Sequence, residues 1–268
     1  MFDFSDTSYF MQGILLFAGY IRLLTFFFFV PFMGGEAVPG QARIAMSFML
    51  SLFVYPTVAG LTPPGGGSAV LLVWLLFLIG KELLVGLILG YAASLIFWVM
   101  LSTGFILDNQ RGAGMGQVTD PASGESTSLF GGFLHEISIY LFFSTGAFIQ
   151  VIVLLLASYE ICPPGFAGAP LVVEGIPLFL MKQFSSLMVM VLIFASPIVL
   201  VCLLSDISLG IINRFAPQLN VFFLSMPIKS ALGLGVIMLY VGTLLPLINR
   251  ELFLIPGRAG LFWRALGL

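Results

Sequence analysis

Four groups of residues in this sequence have types and spacings that could do chemistry. Gly112, Gly114 and Gly116 form a glycine-rich run of the kind that cradles phosphate. The run lacks a following G-K-[ST], and it follows an apolar helical stretch where a phosphate loop would follow a strand. His135-Glu136 opens as a zinc helix does, but the position four beyond the histidine is Ile139, so the second ligand is missing. Cys162 and Cys202 stand far apart without metal or redox spacing and read as two unpaired, buried thiols. Lys81-Glu82 is an adjacent charge pair inside a long apolar run. With one histidine in the chain, general acid–base work at neutral pH has little to draw on, and catalysis is not expected. No cofactor or metal site is expected either.

The elements that would have to position these groups are overwhelmingly apolar. Of 268 residues, 60% are hydrophobic and 8% charged, and the mean hydropathy is +1.14. A soluble domain carries about 25% charged residues, and no globule of this size could hide so much hydrocarbon. The chain therefore reads as an integral membrane protein. A net charge of −2 gives no reason to expect nucleic acid. The first residues, MFDFSDTSYF, are acidic where a signal peptide is basic, so the first apolar segment is expected to be retained.

Apolar runs long enough to cross a bilayer occur at about 9–33, 42–60, 69–107, 129–157, 178–204 and 219–248. Strand alternation is absent, so the expected class is all-α: a polytopic membrane protein of long, broken helices and helical hairpins. Pro197 should kink the fifth run, and SDISLGIINRFAPQLN should turn between the fifth and sixth. His135 reads as a histidine at a helix end. The tail, with Arg250, Arg258 and Arg264, is amphipathic enough to lie on a surface.

The third run is anomalous. As a single helix of about 39 residues it would be roughly 58 Å long, against a hydrocarbon core of about 30 Å. Either it breaks near Gly80-Lys81-Glu82 or it runs well beyond the membrane. Lys81 and Glu82 are then either a charge pair at a junction near the membrane surface or a buried pair facing other helices. Gly86 and Gly90 follow with a spacing that admits another helix closely.

The positive-inside rule does not resolve into one topology. The basic tail puts the C-terminus inside; counting back puts the Glu160/Glu174 connector inside and the Arg214 loop outside, against their charges. Some apolar segments are therefore buried against protein, re-entrant or surface-lying.

The longest polar interruption, Gly104–Ser128, carries Asp108, Gln110, Arg111, Asp120 and Glu125 among its glycines. Glycine visits φ > 0 cheaply and holds a helix poorly, so the stretch reads as a loop, either a water-facing connection or a movable element in a pathway.

Arg214-Phe215-Ala216-Pro217-Gln218-Leu219-Asn220-Val221-Phe222, followed by Pro227-Ile228-Lys229, is similar to the pattern R-x-A-P-Q-L-N-x-F … P-x-K. Gly104, Asp108, Gln110, Gly112 and Asp120-Pro121 keep the order G-x-x-x-D-x-Q-x-G … D-P, and Glu82, Gly86 and Gly90 fit E-x-x-x-G-x-x-x-G. Pro39, Arg43 and Pro56 fit the early segment. On these motifs, over nearly its whole length, the chain resembles the FliR/SctT family. This is the inner-membrane export-apparatus component of bacterial type III secretion and flagellar export systems, and the flanking details look more like the virulence branch.

The resemblance implies a subunit of a helical export gate, one copy among other small membrane components, with the export switch protein at its cytoplasmic mouth. Unfolded secreted proteins would be the substrate, the bacterial inner membrane the location, and lipid the surround. It also implies a ring-forming part over 1–157, a connector over 158–177, and a C-terminal hairpin with its tail over 178–268. The loop 104–128 would act as a pore plug, with Asp108, Gln110, Arg111, Gly112, Gly114, Met115, Gly116, Asp120 and Pro121 as its working residues. Asp108 and Asp120-Pro121 would anchor its ends. Lys81, Glu82, Gly86, Gly90, Arg214, Pro217, Gln218, Asn220 and Lys229 would make subunit contacts. Without the resemblance, Arg214, Gln218 and Asn220 read equally as turn chemistry around Pro217. A secondary transporter or small-solute channel with a site near Lys81/Glu82 is the alternative.

Overall fold

A computed structural model describes residues 7–33, 38–58, 68–112, 128–164, 175–216, 218 and 220–265. Among these residues there is no strand. The helices are α1 (Thr7–Phe29), α2 (Gly40–Val58), α3 (Ser68–Gln110), α4 (Leu129–Ser144), α5 (Ala147–Ile161), α6 (Gly175–Phe215), α7 (Val221–Phe253) and α8 (Ile255–Ala265), with a single 3-10 turn at Pro31–Met33. The protein is all-α, as its period and composition require. Val70–Gln110, Gly175–Phe215 and Phe223–Arg264 are each long and apolar enough to cross a membrane, and α4 with α5 adds a fourth if the pair is one broken span. Together these helices make a multi-pass membrane protein.

The helices divide between two compact units. One contains α1, α2, α3 as far as Ser94, α5, the start of α6 to Met181, and α8. The other contains α3 from Leu95, α4, α6 from Lys182, and α7. Neither unit is a continuous piece of chain.

In the first unit α1 packs on α2, and α5 on α2 and α8. The core collects Leu15, Leu23, Phe26, Phe27, Val85, Leu89, Val151 and Leu155, all under 3% exposed. Helix α2 is built inside out. It buries Ser47 and Ser51, one turn apart, while Ile44, Phe48, Met49, Leu52 and Phe53 stand 50–77% exposed. Both serine hydroxyls donate to their own helix, to the carbonyls of Arg43 and Phe48. Small side chains with internally satisfied hydroxyls let helices approach closely, an arrangement suited to apolar surroundings. In the second unit Phe97 meets Phe142 edge-on at 5.3 Å, and Ile96, Val99, Met100, Leu107 and Leu134 are buried as well.

The structure resolves one open alternative and corrects several expectations. Helix α3 does not break at Gly80-Lys81-Glu82; its 43 residues run unbroken, roughly 64 Å at 1.5 Å per residue. The run 129–157 does break, because Gly146 at φ 79° ends one helix and begins the next. The polar letters of SDISLGIINRF are helical, so α6 continues to Phe215, and α7 begins at Val221. Pro197 lies within α6, and Pro227 and Pro246 within α7, without ending either helix. The tail helix α8 does not lie free: Ile255, Ala259, Phe262 and Trp263 are buried, and Phe262 meets Phe179 at 5.6 Å. His135 lies in the second turn of α4 beside the Phe97 ring instead of at a helix end.

Candidate functional site

Helix α1 carries one charge in its apolar middle, Arg22, and that side chain is fully buried. Its Nε donates to Glu82 Oε2 at 2.6 Å. Nη1 donates to the carbonyl and the hydroxyl of Ser158, at 2.9 and 3.0 Å, and Nη2 to the Cys162 carbonyl at 2.8 Å. The guanidinium lies 4.2 Å from the centre of the Tyr159 ring, whose hydroxyl donates to the Gly19 carbonyl at 2.6 Å.

The last turn of any helix leaves carbonyls without partners and a partial negative charge. Here two cations take up that end of α5. Arg22 binds Ser158 and Cys162, while Lys81 Nζ donates to the carbonyls of Pro163 and Pro164 at 2.7 and 2.8 Å. Glu82 Oε1 accepts no hydrogen bond and faces Lys81 Nζ at 3.3 Å, an ion pair without hydrogen-bond geometry. Lys81 and Glu82 are thus a buried pair facing neighbouring helices, joined by an arginine 60 residues earlier. Gly86 and Gly90 lie on the same approach. A Cβ on Gly86 would come 2.5 Å from the Arg22 carbonyl oxygen, and one on Gly90 3.2 Å from that of Phe26.

The second cluster sits at the end of α3. Asp108 is 2% exposed. Its Oδ2 accepts from the Ser128 hydroxyl at 2.5 Å and from the Phe130 N–H at 3.1 Å. Its Oδ1 accepts from Arg111 Nε at 2.7 Å, with Arg111 Nη2 at 2.6 Å. The Arg111 guanidinium lies 4.4 Å from the centre of the Phe130 ring. Ser128 is also the N-cap of α4, its oxygen accepting from Gly131 N at 2.9 Å. One carboxylate therefore joins the two described ends of the loop, residue 108 to residues 128 and 130. Just before it, Gly104 meets the backbone of Phe130 and Gly131 so closely that a Cβ would overlap it. At the outer limit Gly112 takes φ 77° with the Met226 side chain against it, the left-handed conformation that glycine admits.

This arrangement makes Asp108→Ala informative. Three hydrogen bonds would go, leaving the Phe130 N–H buried and unpaired. We expect a loss of about 2–3 kcal/mol of folding stability, and less for Asp108→Asn, which keeps an acceptor. The thermal midpoint of the purified chain in detergent checks both.

The family model for bacterial export proteins, family 1, matches residues 14–254. The chain belongs to this family. Among relatives of the export family, Yop proteins translocation protein T of Yersinia pestis is 37% identical over 220 residues, 82% of each chain. Surface presentation of antigens protein SpaR of Salmonella typhimurium is 35% identical over 228 residues, 85% of this chain and 83% of the relative. The flagellar biosynthetic protein FliR of Bacillus subtilis is less similar, 29% over 214 residues, 80% of this chain and 81% of the relative.

The other family motif residues fall outside both clusters. Arg214, Gln218 and Asn220 are exposed where α6 turns into α7. Lys229 on α7 pairs with Asp206 on α6 at 2.5 Å. Gln110 is half-buried at the last residue of α3, so the expected loop 104–128 is corrected: Gly104–Gln110 continues the helix, held against α4 by the close approach at Gly104 and the Asp108 bonds. Gly114, Met115, Gly116, Asp120, Pro121 and Pro217 lie outside the described residues. Reading the sequence missed Ser128 and Phe130 as partners of Asp108, and Arg22, Ser158 and Tyr159 as partners of the Lys81/Glu82 pair. A lone arginine in an apolar run was the available signal for the second cluster.

Proposed function

We propose that this chain is a subunit of the export gate of a type III secretion system. It would form part of the conduit that passes unfolded proteins across the bacterial inner membrane, with the segment between Gln110 and Ser128 as a plug. Family membership and the secretion-apparatus names of its relatives support the export role. The observation that carries the plug is the Asp108 clamp. Asp108 holds the end of α3 to Ser128 and Phe130 at the start of α4, so displacing the segment between would not require parting α3 from α4. Family membership supports other membrane components of the apparatus as its partners; a single copy per gate and contact with the switch protein belong to this proposal.

Replacing Gly112, Gly114 and Gly116 together with alanine tests the plug. We expect reduced secretion with the gate assembled, because three added Cβ atoms restrict the backbone; shortening the loop should instead let ions leak. Unchanged secretion and unchanged ion tightness would sink the assignment.

Subunit contacts are best supported at Arg214, Gln218 and Asn220, which are exposed at a turn. Lys81, Glu82, Gly86 and Gly90 are occupied by this chain's own helices and Lys229 by Asp206, so they hold surfaces in shape instead of touching neighbours. The same burial removes the basis of the transporter alternative. Lys81 is spent on two carbonyls and Glu82 on Arg22, leaving neither free for a solute.

A further inference from the structure

On the first unit, α2 and α5 enclose an open groove of about 470 Å³ lined by Phe53, Val54, Val153, Leu156, Ala157 and Glu160. The lining residues of α5 fall one turn apart on one face, so Glu160 closes an otherwise apolar row. Glu160 is exposed and makes no ion pair among the described residues. The two cations that bind the end of α5, Arg22 and Lys81, are committed to backbone carbonyls and to Glu82. Glu160 also sits in the last turn of α5, where the helix dipole adds to its negative potential. Along α2 the groove continues into the exposed face of Phe48, Met49, Leu52 and Phe53.

We propose that this groove receives an apolar helix of a neighbouring membrane subunit, carrying one Lys or Arg that meets Glu160. The proposal rests on the export-gate reading and names a partner surface within it. The chemistry selects such an occupant on two counts. The groove offers hydrocarbon along its length, which is what a helix seated in a groove buries. Its single polar group is an anion at the end, which rewards a cation and repels the phosphate of an anionic lipid.

The test co-expresses the chain with the other membrane components of its export apparatus, carrying a photo-cross-linking residue at Phe53 or, separately, at Val153. Both positions should link to one helix of one partner, within a turn or so of a Lys or Arg. Glu160→Lys should lower adduct recovery at least about tenfold, the effect of losing a close charge pair. Glu160→Gln should lower it less, and changing the partner's base to Glu should restore the Glu160→Lys adduct. Adducts only with lipid or with a second copy would overturn the proposal, as would insensitivity to Glu160→Lys in a complex that still assembles. If the wild-type chain enters no complex at all, the export-gate reading fails and this one with it; assembly without the cross-links removes this one alone.

Discussion

Arg22→Ala should destabilise the first unit by about 3–5 kcal/mol, the usual cost of removing one partner from a buried ion pair. The size follows from what is left behind. Glu82 would remain fully buried with only Lys81 at 3.3 Å, and the carbonyls of Ser158 and Cys162 would lose their donors. The Tyr159 ring would also lose the guanidinium stacked on it. Glu82→Gln should cost less, because its amide oxygen can still accept from Arg22. Thermal unfolding in detergent separates these cases. An Arg22→Ala midpoint equal to wild type would mean that the end of α5 is held by apolar packing alone. In that event Lys81→Met, which vacates the Pro163 and Pro164 carbonyls, should be silent too.

Gly104→Ala is expected to be as severe, by a different route. The new methyl would occupy the space of the Phe130 and Gly131 backbone, which cannot rotate away as a side chain can. Overpacking typically costs 1–3 kcal/mol, and with backbone on the far side we expect about 3 kcal/mol or more. Moving α4 outward would also stretch the bonds from Ser128 and Phe130 to Asp108, one turn further along α3. Gly132→Ala is the control: nothing lies within 4 Å of the added carbon, so stability should be unchanged or slightly raised by better helix propensity. Equal effects of Gly104→Ala and Gly132→Ala would show that α3 and α4 do not make this close approach.

The contrast between these two glycines marks how far the sequence could be read. Gly104 belonged to a recognisable motif, but nothing in its letters said that it faces the α4 backbone while Gly132 faces open space. The apolar runs placed most helices because lipid-compatible segments must satisfy their own backbone and cannot hide their composition. Helix ends were harder. Thr145-Gly146 carries no proline, so the break between α4 and α5 was invisible to an argument based on proline. Asp206, Ser208 and Asn213 looked like a turn, yet the surrounding leucines and isoleucines keep α6 helical through them.

Of the candidate site, Asp108 came forward as an anchor only through the family motif in which it stands. The Arg22 cluster was not. Its partners stand 60 and 136 residues away, and several are main-chain carbonyls, which every residue possesses and no motif records.

The inverted helix α2 bears on supply inside the cell. A chain made ahead of its neighbours would present Phe48, Met49, Leu52 and Phe53 to whatever it met, the kind of surface that chaperones hold and quality-control proteases clear. Abundance would then follow the scarcest co-subunit and not this chain's own synthesis rate. Overproducing it alone should raise turnover more than yield, and matched dosage of its partner subunits becomes a requirement imposed by four apolar side chains on one helix.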